Sequence, residues 1–336
     1  MSPLRTHRRL VTLGLALAGL LTGLTGTTTV AAAPPAAPGH RSVQIEDTIA
    51  LPGDQAYPEG IAVDPRNGDT YITAFKTGAV FRAAAGHHQA QLFLPPGTDG
   101  RTMAMGADVD KHGRLWVTDN DGVTVYDLAT KARLARFVSP TPGQSVINDL
   151  DLTPNGNAYL TDSLRQLVYR ITVPQLDDAV AHDPAPRTLT TAYDLNGLVA
   201  PHPAGSITLN GIESNATGSF LITVDMSSGD LFRLDTKTGN AHKVTVNGDA
   251  PSLISADGLL LEKNKLWMAH FGTDRISRLA LSADGLTATI EQQATDPTLL
   301  RPTTLVRRAG SLHVVRSQFG LTPVTLPFNI AKVTGI

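Results

Sequence analysis

The sequence predicts an all-β fold, a six-bladed β-propeller built from four-stranded blades. Three observations predict it. A strand–turn–strand motif recurs six times, its strands alternate apolar and polar residues with period two, and its turns carry the glycine or asparagine that tight hairpins need. The copies are EGIAVDPRNGDTYITAF from Glu59, MGADVDKHGRLWVTD from Met105, NDLDLTPNGNAYLTD from Asn148, NGIESNATGSFLITVD from Asn210, DGLLLEKNKLWMAHF from Asp257 and TTLVRRAGSLHVVRS from Thr303. Their starts lie 46, 43, 62, 47 and 46 residues apart. Three or four short strands at that period describe a propeller blade, whereas a sandwich does not explain a fixed period and a helical solenoid needs a 3.6-residue one.

Before the first copy the chain reads differently. Residues 1–32 have the form of an export signal: Arg5, Arg8 and Arg9, then the apolar run LVTLGLALAGLLTGL, then small residues at Val30-Ala31-Ala32. The run is 15 residues, short of the about 20 that span a bilayer. General secretion and, from Arg8-Arg9, twin-arginine export are both open. Residues 33–41 form a Pro/Ala-rich linker, and residues 42–336 are expected to be one propeller domain. The chain is therefore expected to be secreted, with no membrane association after cleavage. Loss of the three leader arginines, with no acidic residue among them, takes the net charge from −2 to −5. That balance argues against nucleic-acid binding. There is no cysteine, which excludes disulfides, thiolate metal sites and a cysteine nucleophile.

Within the domain, SVQIEDTIAL from Ser42 precedes blade one and is expected to pair with the last blade near Phe328 to Val333, closing the ring and hiding a sheet edge. Third strands follow in GAVFRAA, GVTVYDL, QLVYRIT, GDLFRLD and DRISRLA, and weaker fourth strands in AHKVTV and ATIEQQ. Asn67-Gly68, His112-Gly113, Asn155-Gly156 and Gly218 supply the hairpins. The long interval carries an insertion, Val173 to Ser206, readable as a solvated loop or as a lid over the central pocket. Asp108, Asp110 and Asp119 imitate the spacing of a calcium loop. They occupy the same repeat slot as DPRNGD and TPNGN, however, and read as a hairpin turn.

The first residue of each motif should point into one mouth of the central channel. Those residues are Glu59, Met105, Asn148, Asn210, Asp257 and Thr303. Glu59, Asn148, Asn210 and Asp257 are oxygen donors from four different blades, and together they suit a hard divalent cation. The plainer reading is a polar lining for a water-filled channel. Calcium, which takes 6–8 oxygens in loose geometry, fits such a central metal site first, with zinc or manganese as alternatives.

This ordered set resembles the senescence marker protein/gluconolactonase (regucalcin-like) family, a relative of paraoxonase and diisopropylfluorophosphatase. Glu59 in YPEGIAVD, Asn148 in INDLDL, Asn210 in LNGIES and Asp257 in ADGLLLE match the family's blade-head residues, and the likeness runs from about Ala56 to Val333. The resemblance implies a catalytic divalent metal and hydrolysis of a lactone or other ester, with Asp257 directing or deprotonating the attacking water. One departure is Val146, where sugar-lactone members carry an arginine. It puts an aldonolactone in doubt and suits a more apolar substrate.

His270, at the end of a second strand, reads as a surface-loop histidine or, as in paraoxonase-like propellers, as a pocket acid or base. Asp162, Asp225 and Arg316 occupy similar strand ends and are candidates for supporting the ligands or touching substrate. Two rival functions share the scaffold. One is a calcium-stabilised binding module without catalysis, and the other a strictosidine-synthase-like non-hydrolytic enzyme. The expected partner of the enzyme is a small-molecule ester or lactone.

Overall fold

The computed structural model describes residues 43–182 and 185–336. The export signal and the linker lie outside the described residues. Six sheets follow one another along the chain. Their innermost strands are Pro58–Val63, Ala107–Val109, Ile147–Leu152, Leu209–Ser214, Ala256–Glu262 and Pro302–Arg308. They form the six-bladed propeller the repeat predicts. Four blades have four strands. The second and fifth have five, because Arg187–Thr188 and Thr245–Asn247 each lie parallel on the outermost strand of a blade. The expected strand AHKVTV is thus divided: Ala241–Lys243 completes blade four and Thr245–Asn247 joins blade five. Among the described residues no helix is long and apolar enough to cross a membrane.

The hydrophobic core is six seams, one between each pair of neighbouring blades. Period-two alternation serves both faces of each sheet. In blade two, Leu115 and Val117 pack toward blade one while Trp116 packs toward blade three. The last seam joins blades six and one through Ile49, Ile61, Ile72, Val315 and Ile330. Strand Gln44–Ala50 pairs antiparallel with Asn329–Thr334, Ile45 opposite Val333 and Ile49 opposite Ile330. The expected closure of the ring is observed.

The insertion does not become a lid. Helix α1, Val173–His182, buries Leu176 and Ala179 in the seam between blades two and three. The Val173 N–H donates to Asn157 Oδ1 at 3.2 Å, in the hairpin at the end of blade three away from Asn148. Strand Thr190–Asp194 then supplies the fourth strand of blade three. The stretch 195–207 is tied down on the mouth side where His202 Nε2 meets Asp225 Oδ2 at 2.7 Å.

Five inner strands share one irregularity. Register slips between Pro58 and Ile61, Ile147 and Leu150, Leu209 and Ile212, Ala256 and Leu259, and Pro302 and Leu305. The slipped pairs are Glu59-Gly60, Asn148-Asp149, Asn210-Gly211, Asp257-Gly258 and Thr303-Thr304. A bulge turns side chains off the regular alternation, so each blade head faces the axis. The glycine follows from crowding at the axis. A Cβ on Gly60 would stand 2.4 Å from the Met105 carbonyl oxygen, and one on Gly258 would stand 2.2 Å from Thr304 Oγ1.

Candidate functional site

The four predicted oxygen donors meet at the floor of the mouth. Glu59, Asn148, Asn210 and Asp257 are all buried and line one cavity of about 250 Å³. Hydroxyl groups from neighbouring strands hold the bulges in place. Thr303 Oγ1 donates to the Glu59 carbonyl at 2.7 Å, and Thr118 Oγ1 to the Asn148 carbonyl at 2.6 Å. The Asn148 side chain is oriented by its amide, which donates to Ser163 Oγ at 3.1 Å. Its Oδ1 is left buried without a partner, and so is Glu59 Oε2. Buried polar atoms are nearly always satisfied, so two unpartnered oxygens in one cavity leave acceptors open to a ligand.

The charges agree. Burial pushes the Glu59 carboxyl well above its ordinary range, with further contributions from Asp257 and Asp149. Burial and Asp149 do the same to Asp257, partly offset by a hydrogen bond from Asn210. Among the described residues no three His, Cys, Asp or Glu side chains cluster as a metal site. The donor set here is two carboxylates and two amides, and its unpartnered oxygens fit a hard cation.

A second cavity of about 350 Å³ continues down the channel and shares Glu59, Asn210 and Asp257 with the first. It holds four further carboxylates. Burial, then mutual repulsion, raises Asp108 to about 8. Burial is the first cause for Asp149 at about 7 and Asp151 at about 6, and it lifts Glu213 well above the usual range. Asp110 does sit in the hairpin, bonded to the Arg114 N–H and guanidinium. Asp108 does not. It lies on the inner strand Ala107–Val109, three residues after the blade head, as Asp151 and Glu213 do in blades three and four.

The residues expected beside the ligands fall elsewhere. Asp162 is fully buried and caps the turn after its strand, accepting from the Val146, Leu164 and Arg165 N–H groups at 3.1–3.2 Å. Asp225 holds His202, the Ser227 N–H and Ser228 Oγ. Arg316 clasps the ring closure, bonding Asp47 and Asn329. His270 is neither a surface-loop histidine nor a wall of either cavity. It is fully buried, with Nδ1 at 3.2 Å from the Ile254 carbonyl and Nε2 at 2.8 Å from Ser277 Oγ, and burial lowers it to about 4.

The side chains that do line the mouth come one position later. They are Phe75, Asn120, Met226 and Phe271, each directly after a second strand. Alternation explains the offset, since a shift of one residue moves a side chain to the other face. Phe319, from the loop after Ser311–Arg316, completes an aromatic wall. Its ring centroid lies 4.8 Å from that of Phe75 and 5.9 Å from that of Phe271. Met103, Met105, Val146 and Ile207 fill the rest. Among the described residues no basic side chain lines this cavity.

Residues 57–301 match the family described as "SMP-30/Gluconolactonase/LRE-like region". No curated protein sequence matches the chain. Several solved structures share its fold. A luciferin-regenerating enzyme is 14% identical with a TM-score of 0.60, covering 88% of this chain and 96% of that one. A regucalcin from Agrobacterium tumefaciens strain C58, described as a calcium-binding protein, is 14% identical with a TM-score of 0.59, covering 86% and 95%. A streptogramin B lyase is 16% identical with a TM-score of 0.58, covering 89% and 99%. At such identities the likeness establishes the architecture alone. The matched family spans blades one to five and makes this six-bladed propeller a member of the SMP-30/gluconolactonase/LRE-like family.

Proposed function

We propose that this protein is a divalent-metal-dependent hydrolase of a lactone or other ester. The observation that carries the reading is the pair of buried, unpartnered oxygens, Glu59 Oε2 and Asn148 Oδ1, on a cavity floor shared with Asn210 and Asp257. Those four side chains would hold the cation, calcium first, with zinc and manganese as alternatives. A cation bound there would supply a Lewis acid for the substrate carbonyl and positive charge for the oxyanion.

The chain's own residues do the rest. Phe75, Phe271 and Phe319 exclude bulk water from the floor, which strengthens every charge interaction on it. Asp257 would take the proton of an attacking water. Ser163 holds the Asn148 amide so that its oxygen faces the cavity. His270 lies outside the cavity lining, bonded to the Ile254 carbonyl and Ser277 Oγ.

The test is metal analysis of the purified protein together with a lactone and ester panel, with and without chelator. Bound divalent metal and turnover lost to chelator are expected. Full activity after chelation would sink the reading. Calcium-dependent stabilisation with no turnover across the panel would favour a binding module. Product formed from labelled water without incorporation of the label would favour a non-hydrolytic enzyme.

A further inference from the structure

The mouth cavity is more selective than a general ester site requires. Below, it has a charged floor; above, it has almost nothing polar. Apart from the four floor residues, Asn120 is the one polar residue on the lining among the described residues. The wall is three phenylalanines from blades one, five and six, with Met103, Met105 and Met226 between them.

Phe319 is the keystone and it is held rigidly. Gln318 beside it is buried and staples its loop, donating to the Thr325 carbonyl at 2.8 Å and accepting from the Thr325 N–H at 2.6 Å. The Gln318 and Ser317 N–H groups donate to the Leu300 and Arg301 carbonyls, anchoring the loop to the blade-five connection. The aromatic wall is therefore preformed, and a ligand that uses it bears little ordering cost. Apolar side chains are also exposed elsewhere on the mouth side. Among the described residues seven large apolar side chains are exposed, and four of them (Leu164, Leu198, Ile254 and Leu326) stand on mouth-side connections.

Resting on the hydrolase reading above, we propose that the substrate is an uncharged lactone or ester carrying an alkyl or aryl substituent, which packs on Phe75, Phe271 and Phe319. The cavity of about 250 Å³ holds about eight water-sized groups. That is enough for a small lactone ring and the first carbons of a side chain. A polyhydroxylated ring would place hydroxyls against phenylalanine and methionine with only Asn120 to receive them, and each unpaired hydroxyl costs roughly tenfold in affinity. An anionic substituent would meet two carboxylates on the floor and no lysine, arginine or histidine on the walls.

The test is a side-chain series run in two arms on the metal-loaded protein. In the first, kcat/KM is measured for γ-lactones with side chains from methyl to hexyl, against hydroxylated lactones of the same ring. A gain of about fourfold per methylene is expected over the first members, with the hydroxylated lactones below the unsubstituted ring. In the second arm, calorimetry measures binding of the corresponding γ-lactams, which serve as poor substrates of the same shape. Their affinity should rise with chain length in the same way.

Phe319→Leu and Phe319→Ala are carried through both arms, with circular-dichroism melting to confirm folding. Both should flatten the chain-length dependence, the alanine by about tenfold between hexyl and methyl. Lactam binding that follows chain length without lactone turnover would support the ligand class while sinking the hydrolase reading. Turnover that ignores chain length, or prefers hydroxylated lactones, would overturn the inference and leave hydrolysis standing. Unchanged selectivity in both folded Phe319 variants would overturn it as well.

Discussion

Glu59 and Asp257 share a desolvated floor on which neither can ionise cheaply, and the two amides between them cannot supply the missing charge. That is the residue-scale reason for the metal proposal. It predicts that Asp257→Asn, which keeps the shape and removes the charge, lowers hydrolysis by about 10²–10³-fold. Asp162→Asn should lower the melting temperature and leave kcat near that of the parent, because Asp162 caps a turn. Parallel stopped or steady-state kinetics on both variants decides between these outcomes. His270 carries a different prediction. Its folded pKa of about 4 lies below the ordinary value of about 6.5. The unfolded chain takes up a proton in that window which the folded chain refuses, so stability falls as pH drops through it, by on the order of 3 kcal/mol. His270→Gln should lose less stability than the parent between about pH 7 and about pH 4, and equal losses in urea titrations would refute this. The blade heads were legible because a strand start after a turn fixes where a side chain points. The lining at Phe75, Asn120, Met226 and Phe271 lies one residue beyond a second strand, and strand-end positions such as Asp225 and His270 face away from it, since a strand's last residue and the next point opposite ways. Phe319 had no local signal, for it sits on a loop whose path depends on Gln318 and on the neighbouring blade.

The bulge is the element that turns six ordinary hairpins into a ring with a site. Its second position lies against the next blade, so the space left for a side chain is set by a neighbour about 45 residues further along the chain. Gly258→Ala should cost about 1–3 kcal/mol of stability, and because Asp257 shares the bulge, hydrolysis should fall along with it. A folded Gly258→Ala protein with full stability and activity, measured by urea unfolding and initial rates, would refute the crowding argument. The acids Asp108, Asp151 and Glu213 recur at one slot, three after the blade head, and that spacing was readable. The calcium-loop-like pattern drew Asp108 into the turn instead. The division of AHKVTV between two blades was not readable, because parallel pairing with Thr287–Thr289 is a tertiary choice that composition does not encode. For the same reason helix α1 could not be placed. Its apolar side chains specify burial, and the seam between blades two and three that receives them is not local to it.

The whole molecule is a ring around a column of acid. In chelated protein the channel carboxylates raise the energy of the folded state as they ionise. Asp108 and Asp151 have folded pKa values of about 8 and about 6, above the unfolded value near 3.9. Their contribution to stability is present below the unfolded value and is lost as pH rises through the folded ones. Melting temperature in chelator should therefore decline from about pH 5 to about pH 8. Asp108→Asn should flatten that decline, and a divalent cation should oppose it. A profile that is flat in the parent or identical in the variant would contradict this. Fold class and closure were legible at this scale, because a repeat of constant length admits few architectures and an unpaired N-terminal strand needs a partner.

That partner has a kinetic consequence. Thr48 and Ile330, bonded across the closing sheet, are 282 residues apart, and bringing such distant segments together costs about 5 kcal/mol of chain entropy. Five sheets can assemble largely from nearby segments as the chain emerges, whereas the sixth waits for both ends. Opening of the Gln44–Ala50 strand is accordingly where unfolding should begin. The resistance of the native protein to proteases should be set by the rate at which Arg316, Asp47 and Asn329 let go.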